Sequence, residues 1–216
     1  MKYQGIIFDL DGVICHTDDY HYQAWKMLAD KLGIYFDETI NNRLRGISRM
    51  ESLDIVLEKY HKTLTWEEKV KYAEEKNTFY KNLLRKMSPA DLSLEVKETL
   101  DQLKGKGLKL AIGSSSKNAG FILERIGLAK YFDAVSDGNN ISNSKPDAEV
   151  FLKAVQFMKL EPKDCLVVED SVAGLQAAVN GNMDCAAMGD AVKSELATYQ
   201  LQYFKDLLTA VEDGFQ

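Results

Sequence analysis

The stretch Ile6-Ile7-Phe8-Asp9-Leu10-Asp11-Gly12-Val13 sets two carboxylates, with one residue between them, at the end of an apolar run. The run has the length and composition of a short buried strand. In extended backbone, residues i and i+2 point to the same side, so Asp9 and Asp11 face one space. Gly12 lets the chain turn sharply just after them. Two acids held this close repel, and one resists ionising unless a cation compensates. Such a pair calls for a divalent metal, a phosphate, or both.

Three further polar segments follow, two just after an apolar run and one just ahead of a helix. Gly113-Ser114-Ser115-Ser116-Lys117-Asn118 offers hydroxyls and backbone N–H donors to an anion, and suits an ordinary helix N-cap equally. Ser144-Lys145-Pro146-Asp147 contains a lysine whose ordinary fate is the surface, although Pro146 restricts the backbone and could aim it inward. Val168-Glu169-Asp170-Ser171 ends a strand in two acids, which alone would suit helix capping. In a parallel sheet these ends converge on one edge, around Asp9. Together they would gather four carboxylates, a lysine and several hydroxyls. Mg²⁺ facing a phosphoryl group accounts for all of them, because it prefers carboxylate and phosphate oxygens.

The elements that must position these groups follow from periodicity. A helix is expected from Thr17 or Asp18, with Tyr20, Ala24, Met27, Leu28 and Leu32 on one face and Gly33 as its stop. Further helices are expected over Arg43 to Tyr60 and Trp66 to Arg85. From Ser88-Pro89 the pattern changes. Strands at Leu108–Gly113, near Phe132–Ser136, at Cys165–Val168 and at Asp184–Met188 alternate with helices at about Glu95–Lys104, Lys117–Ile126, Ala148–Met158 and Val172–Val179. Alternation of this kind makes an α/β fold, a doubly wound parallel sheet of Rossmann-like form with helices on both faces. Residues 1–15 and 89–216 are expected to form that core, and residues 16–88 an all-helical cap inserted into it.

The chain has 216 residues, enough for one sizeable core and a smaller unit. A net charge of −6 argues against a surface for nucleic acid, though not against a local phosphate pocket. No apolar stretch is long enough to cross a membrane and no signal-peptide pattern precedes the first strand. Three cysteines, Cys15, Cys165 and Cys185, have no metal-ligand spacing and suit a reducing cytosol. A cytoplasmic monomer acting on a small molecule is the expectation.

Asp9-Leu10-Asp11-Gly12-Val13 resembles the nucleophile motif of the haloacid dehalogenase (HAD) superfamily of phosphotransferases. Ser114, Lys145 and Glu169-Asp170 match that superfamily's second, third and fourth motifs in order. Within it, His21-Tyr22-Gln23-Ala24-Trp25, Arg45-Gly46-Ile47-Ser48-Arg49-Met50-Glu51-Ser52-Leu53, Lys76-Asn77 and Ser114–Asn118 resemble the β-phosphoglucomutase family. The resemblance implies Asp9 as nucleophile and Asp11 as general acid and base, with Ser114 and Lys145 sharing the developing charge. It implies Mg²⁺ held by Asp9, Asp11 and Asp170, with Glu169 tuning the metal directly or through water. It places the substrate against His21, Trp25, Arg45, Gly46, Ile47, Ser48, Arg49, Ser52 and Lys76 of the cap and Ser115, Ser116, Lys117 and Asn118 of the core. There Arg49, Ser116 and Asn118 grip a distal phosphate, Lys76 contacts the sugar, and His21 assists Asp11.

The residues themselves speak more weakly. Arg45 and Arg49 lie four apart around Gly46, so a helix start there would bring two guanidiniums near one phosphate; a solvated basic patch is the alternative. Trp25 fits cap packing better than sugar stacking. The implied activity interconverts β-glucose 1-phosphate and glucose 6-phosphate through an aspartyl phosphate and β-glucose 1,6-bisphosphate, within maltose, trehalose or related glucan catabolism. A sugar-phosphate phosphatase would need the same core, and a phosphate-binding sensor could share its shape. Departures from the family pattern are His16 in place of an aspartate, Ala148 in place of a second proline after Lys145-Pro146, and Leu94-Glu95 in place of Pro-Gly.

Overall fold

The computed structural model describes residues 1–213. Six parallel strands form one sheet in the order β3-β2-β1-β4-β5-β6. They are β1 (Gly5–Phe8), β2 (Lys109–Gly113), β3 (Ala134–Ser136), β4 (Cys165–Glu169), β5 (Asp184–Ala187) and β6 (Tyr199–Gln200). β1 lies at the centre because it is apolar throughout and every residue of it is buried. Its Phe8 pairs with Ile112 of β2 and Val168 of β4, so the next residue, Asp9, is level with Gly113 and Glu169. The register therefore brings three of the polar strand ends to one rim.

Helices α5 (Leu94–Gly105), α6 (Ala119–Arg125), α7 (Glu149–Met158), α8 (Val172–Asn180) and α9 (Leu207–Asp213) cover the sheet. One apolar cluster, around Ile6, Phe8, Leu100, Ile122 and Leu207, packs on one face. A second, around Ile7, Phe151, Val167 and Leu175, packs on the other. Side chains alternating across β1, with Ile6 and Phe8 on one side and Ile7 on the other, feed both layers. The doubly wound α/β core is thus present. β6 and α9, beyond the last strand read from the sequence, extend it by a two-residue edge strand and a short helix.

Between β1 and β2 the chain forms α1 (Asp18–Leu32), α2 (Glu38–Asn42), α3 (Arg49–Val56) and α4 (Trp66–Leu84), with no strand among them. These helices bury their own cluster, including Trp25, Leu28, Leu53, Val56 and Ala73. α1 stops at Gly33, whose φ of 69° is the left-handed value expected of a C-terminal glycine. α4 begins at a capping box in which Thr65 and Glu68 satisfy each other's backbone N–H groups.

The continuous helix expected over Arg43–Tyr60 is divided. Ser48, in extended backbone, forms a capping box with Glu51 and starts α3 at Arg49. Gly46, at φ 77°, turns the chain before it. Residues 43–48 consequently form a turn projecting towards the core. Ser115 Oγ donates to the carbonyl of Gly46 at 3.0 Å, and Asn118 Nδ2 to Asn77 Oδ1 of α4 at 3.0 Å, so the helical unit is seated on the sheet's rim.

Candidate active site

The rim and the helical unit enclose a cavity of about 1030 Å³. Asp9, Asp11, Ser114 and Asp170 line its floor, and Arg49, Ser52 and Lys76 line the opposite wall. The floor starts where β1 ends. After Asp9 the chain folds into a tight loop, with Ile14 N–H donating to Leu10 O at 3.0 Å and Gly12 N–H to Cys15 O at 2.7 Å. Gly12, at φ 88°, is required twice over, because a Cβ there would lie 2.0 Å from Asp170 Oδ2. The absence of a side chain is what lets the β4 acid rest against the β1 loop.

Lys145 is 1% exposed, so the aim inward that Pro146 could give it is realised. Its Nζ donates to Asp9 Oδ1 and, at 2.5 Å, to Glu169 Oε1. Burial opposes its charge, but the carboxylates of Asp9 and Glu169 outweigh burial and raise its pKa, so it stays a cation. Burial also pushes the Asp9 carboxyl well above the ordinary range; Lys145 opposes this, and Glu169, Asp170 and Asp11 add to it.

Glu169, expected to tune a metal directly or through water, is engaged by protein donors at both oxygens. Its Oε1 is taken by Lys145, while Oε2 accepts from the Asp170 and Ser171 N–H groups and from Ser171 Oγ, each at 2.9 Å. It is packed at 0% exposure against Gly174, where a Cβ would fall 1.8 Å from Oε1. These bonds tie Lys145 to the start of α8.

Asp170 remains open to the cavity. Burial, with Glu169 adding to it, raises its pKa to about 7, against the pull of Arg45. Burial likewise raises Asp11 to about 6, against a hydrogen bond from Thr17. Among the described residues no three acidic, histidine or cysteine side chains are already drawn into a ligating cluster. The donors nevertheless fit Mg²⁺. Asp9, Asp11 and Asp170 are hard oxygen ligands short of positive charge, and Mg²⁺ keeps several waters and asks for only one or two carboxylates.

Asp11 has a partner that the sequence did not disclose. The hydroxyl of Thr17 donates to Asp11 Oδ1, and Tyr80 Oη of α4 donates to Thr17 Oγ1 at 3.1 Å. Thr17 sits at the N-cap position of α1 but makes no capping bond, its oxygen being turned to the site. His21, expected from the resemblance to assist Asp11, has its Nδ1 3.0 Å from Lys76 Nζ and its ring over Tyr80 with centroids 4.1 Å apart. Burial, then Lys76 and Arg49, holds its pKa well below the usual histidine value, so the imidazole is neutral and accepts from Lys76. Lys76, 3% exposed, lies 4.6 Å from both the Trp25 and Tyr80 ring centres. Burial chiefly, and then Arg49, lowers its pKa to about 7. Trp25, 2% exposed, belongs to the helical unit's apolar cluster while one side meets the cavity.

The two arginines do not converge, which corrects the shared-phosphate expectation. Arg49 pairs with Glu74 of α4 at 2.5 Å. Arg45 turns the other way, to Asp18 at 2.7 Å and Asp190 at 2.5 Å, 3.7 Å from Asp170. The turn ahead of α3 separates them, so they do not lie along one helix face. Gly46, Ile47, Ser48, Ser52, Ser115, Ser116, Lys117 and Asn118 all line the cavity. Ser114 Oγ accepts from Ser116 N–H at 3.1 Å, and Ser116 Oγ from Asn118 N–H at 3.2 Å, so the loop after β2 braces itself.

A strand-end carboxylate on a parallel-sheet rim, locked to a buried lysine beneath a helical insertion, is the arrangement of a phosphotransferase-type fold. The chain belongs to the haloacid dehalogenase-like hydrolase family, whose profile matches residues 6–188. Within that family it is closely related to β-phosphoglucomutases. It is 38% identical to the β-phosphoglucomutase of Bacillus subtilis over 86% of this chain and 83% of that protein. The crystal structure of the β-phosphoglucomutase of Clostridium difficile superimposes with a TM-score of 0.90 at 37% identity, covering 95% of this chain and 93% of the other. The phosphorylated carbohydrates phosphatase of Thermotoga maritima is 30% identical over 84% of this chain and 82% of that protein. Action on sugar phosphates is the activity this kinship supports.

Proposed function

We propose that the chain is a β-phosphoglucomutase, interconverting β-glucose 1-phosphate and glucose 6-phosphate. One observation carries this reading: Asp9 and Asp11 line the floor of a cavity whose facing wall carries Arg49, Ser52 and Lys76. Hydrolysis of a small ester needs the floor alone. A sugar carrying phosphate at both ends needs the wall as well.

In this reading an Asp9 oxygen attacks a phosphorus atom, and the bond to the sugar oxygen breaks. Lys145 and the Ser114 hydroxyl share the charge that develops on the phosphoryl oxygens. Asp11 moves the proton of the sugar hydroxyl, taking it when the hydroxyl attacks the aspartyl phosphate and returning it when the sugar leaves. Its pKa of about 6 suits both directions near neutral pH. Asp9, the Asp11 backbone carbonyl and Asp170 would hold Mg²⁺, which would supply neutralising charge for the transferring group. Arg49, Ser116 and Asn118 take the other phosphate, and Lys76 the sugar ring. The phosphorylated enzyme meets β-glucose 1-phosphate, β-glucose 1,6-bisphosphate turns over within the site, and glucose 6-phosphate leaves. The cap, residues 16–88, opens for this exchange by flexing at about Ile14–Thr17 and Ser88–Leu92, and closes to exclude water.

A phosphatase of sugar phosphates is the second reading. The pairing of Arg49 with Glu74 favours it, because that guanidinium is already committed. A coupled assay separates the two: with β-glucose 1-phosphate and a trace of bisphosphate, glucose 6-phosphate should form faster than free phosphate. Predominant release of free phosphate would overturn the mutase reading. Asp9→Asn should abolish turnover and an acid-stable, base-labile phosphate label on the protein. Label surviving in that variant would remove Asp9 as the nucleophile.

A further inference from the structure

Arg45 reaches three carboxylates on two sides of the cavity. Its Nη2 lies 2.7 Å from Asp18 Oδ2, at the start of α1 in the helical unit. Its Nη1 lies 2.5 Å from Asp190 Oδ2 and 3.7 Å from Asp170 Oδ2, both in the core. Asp190 follows β5 in a short 3₁₀ turn, Gly189–Ala191. Opening the cap would separate Arg45 from Asp190 and Asp170 while leaving its bond to Asp18 intact. The pair with Asp18 thus pre-aims the guanidinium, and the pair with Asp190 exists in the closed arrangement alone. An interaction made in one of two states shifts the balance towards that state.

The neighbouring turn shows that closure is close-fitting here. A Cβ on Gly46 would lie 2.9 Å from Ser171 Oγ, and its carbonyl already accepts from Ser115. Arg45 Nε is buried without a hydrogen-bond partner among the described residues, so the seated geometry is sustained by the two Nη groups.

We propose that Asp190 is a positioning residue: with Arg45 it forms an electrostatic clasp that holds the cap closed over the site. This rests on the division into cap and core, and is independent of whether a sugar or water finally accepts the phosphate. The Asp190 side chain is 75% exposed, so the clasp is screened by salt and its effect is modest.

The test is a cross-cleft distance. The native cysteines are buried, so dyes on Lys62→Cys and Glu161→Cys, at exposed positions of cap and core, report opening in the full chain. Asp190→Asn should lower the closed-to-open ratio by about two- to fivefold at low salt. It should also remove most of the response to added NaCl, and Asp190→Glu should restore both. KM for β-glucose 1-phosphate should rise by a similar factor. Identical transfer distributions in the parent, Asp190→Asn and Asp190→Arg would overturn the clasp. A shifted distribution in a protein that releases only free phosphate would uphold the clasp while removing the mutase reading.

Discussion

The Thr17 hydroxyl donates to Asp11 Oδ1, tying the first turn of the helical insertion to a carboxylate of the core. Tyr80 Oη, 63 residues further on, donates to the same Thr17 oxygen. The proposed acid–base group is thereby held by two residues of the helical insertion. Burial raises the Asp11 pKa, and the Thr17 bond opposes that rise by stabilising the charged form. Thr17→Val should move the acidic limb of the kcat/KM profile for β-glucose 1-phosphate to higher pH and lower the plateau by about tenfold or more. An unmoved limb would show that Asp11 takes no support from Thr17.

Lys145 stands between two buried carboxylates, and its removal would leave both without a cation. Lys145→Met should cost about 3–5 kcal/mol in urea unfolding, since breaking a buried pair from one side leaves uncompensated charge. Adding Glu169→Gln should recover part of that loss. Additive losses in the double variant would argue against direct coupling.

The raised carboxylates make a prediction about pH. Asp170, at about 7, and Asp11, at about 6, bind protons more tightly folded than unfolded. The folded chain therefore holds more protons between roughly pH 4 and 7, and stability falls as pH rises through that window. Without divalent metal, Tm should be lower at pH 8 than at pH 5.5 as far as these groups decide it. Mg²⁺ should raise Tm more at pH 8 than at pH 5.5, because binding requires the ionised carboxylates. An equal Mg²⁺ effect at both pH values would separate these acids from the metal.

In the proposed reading Arg49 holds the distal phosphate, and Glu74 competes for its guanidinium. Arg49→Ala should therefore impair glucose 6-phosphate formation far more than hydrolysis of a small phosphate ester. Glu74→Gln frees the guanidinium and should lower KM for the bisphosphate by up to about fivefold, the range of an exposed ion pair. A raised KM in Glu74→Gln would mean that Glu74 aims Arg49 at the substrate rather than withholding it.

Much of the core was legible in residue order. Alternating apolar runs and helical periods gave β1 to β5 and the helices between them, because strand burial and the 3.6-residue period are local properties. The short β6 pair carries too little pattern to stand out. In the cap, the break between α2 and α3 rests on the left-handed Gly46 and the Ser48–Glu51 box, which the apolar positions of Arg43–Tyr60 mask.

The sequence by itself determined which groups meet at the rim: Asp9, Asp11, Ser114 and Asp170 each follow from a position at or just beyond a strand end, Lys145 from the loop between β3 and α7, and a parallel sheet sends such segments to one edge. Tertiary structure alone decided who partners whom. Glu169 turned to Lys145 and the start of α8, Arg45 parted from Arg49, and Thr17 reached Asp11. Long side chains have several staggered conformers of similar energy. Which one is kept depends on charges brought near by segments up to 145 residues away, as between Arg45 and Asp190, and no local pattern carries that information.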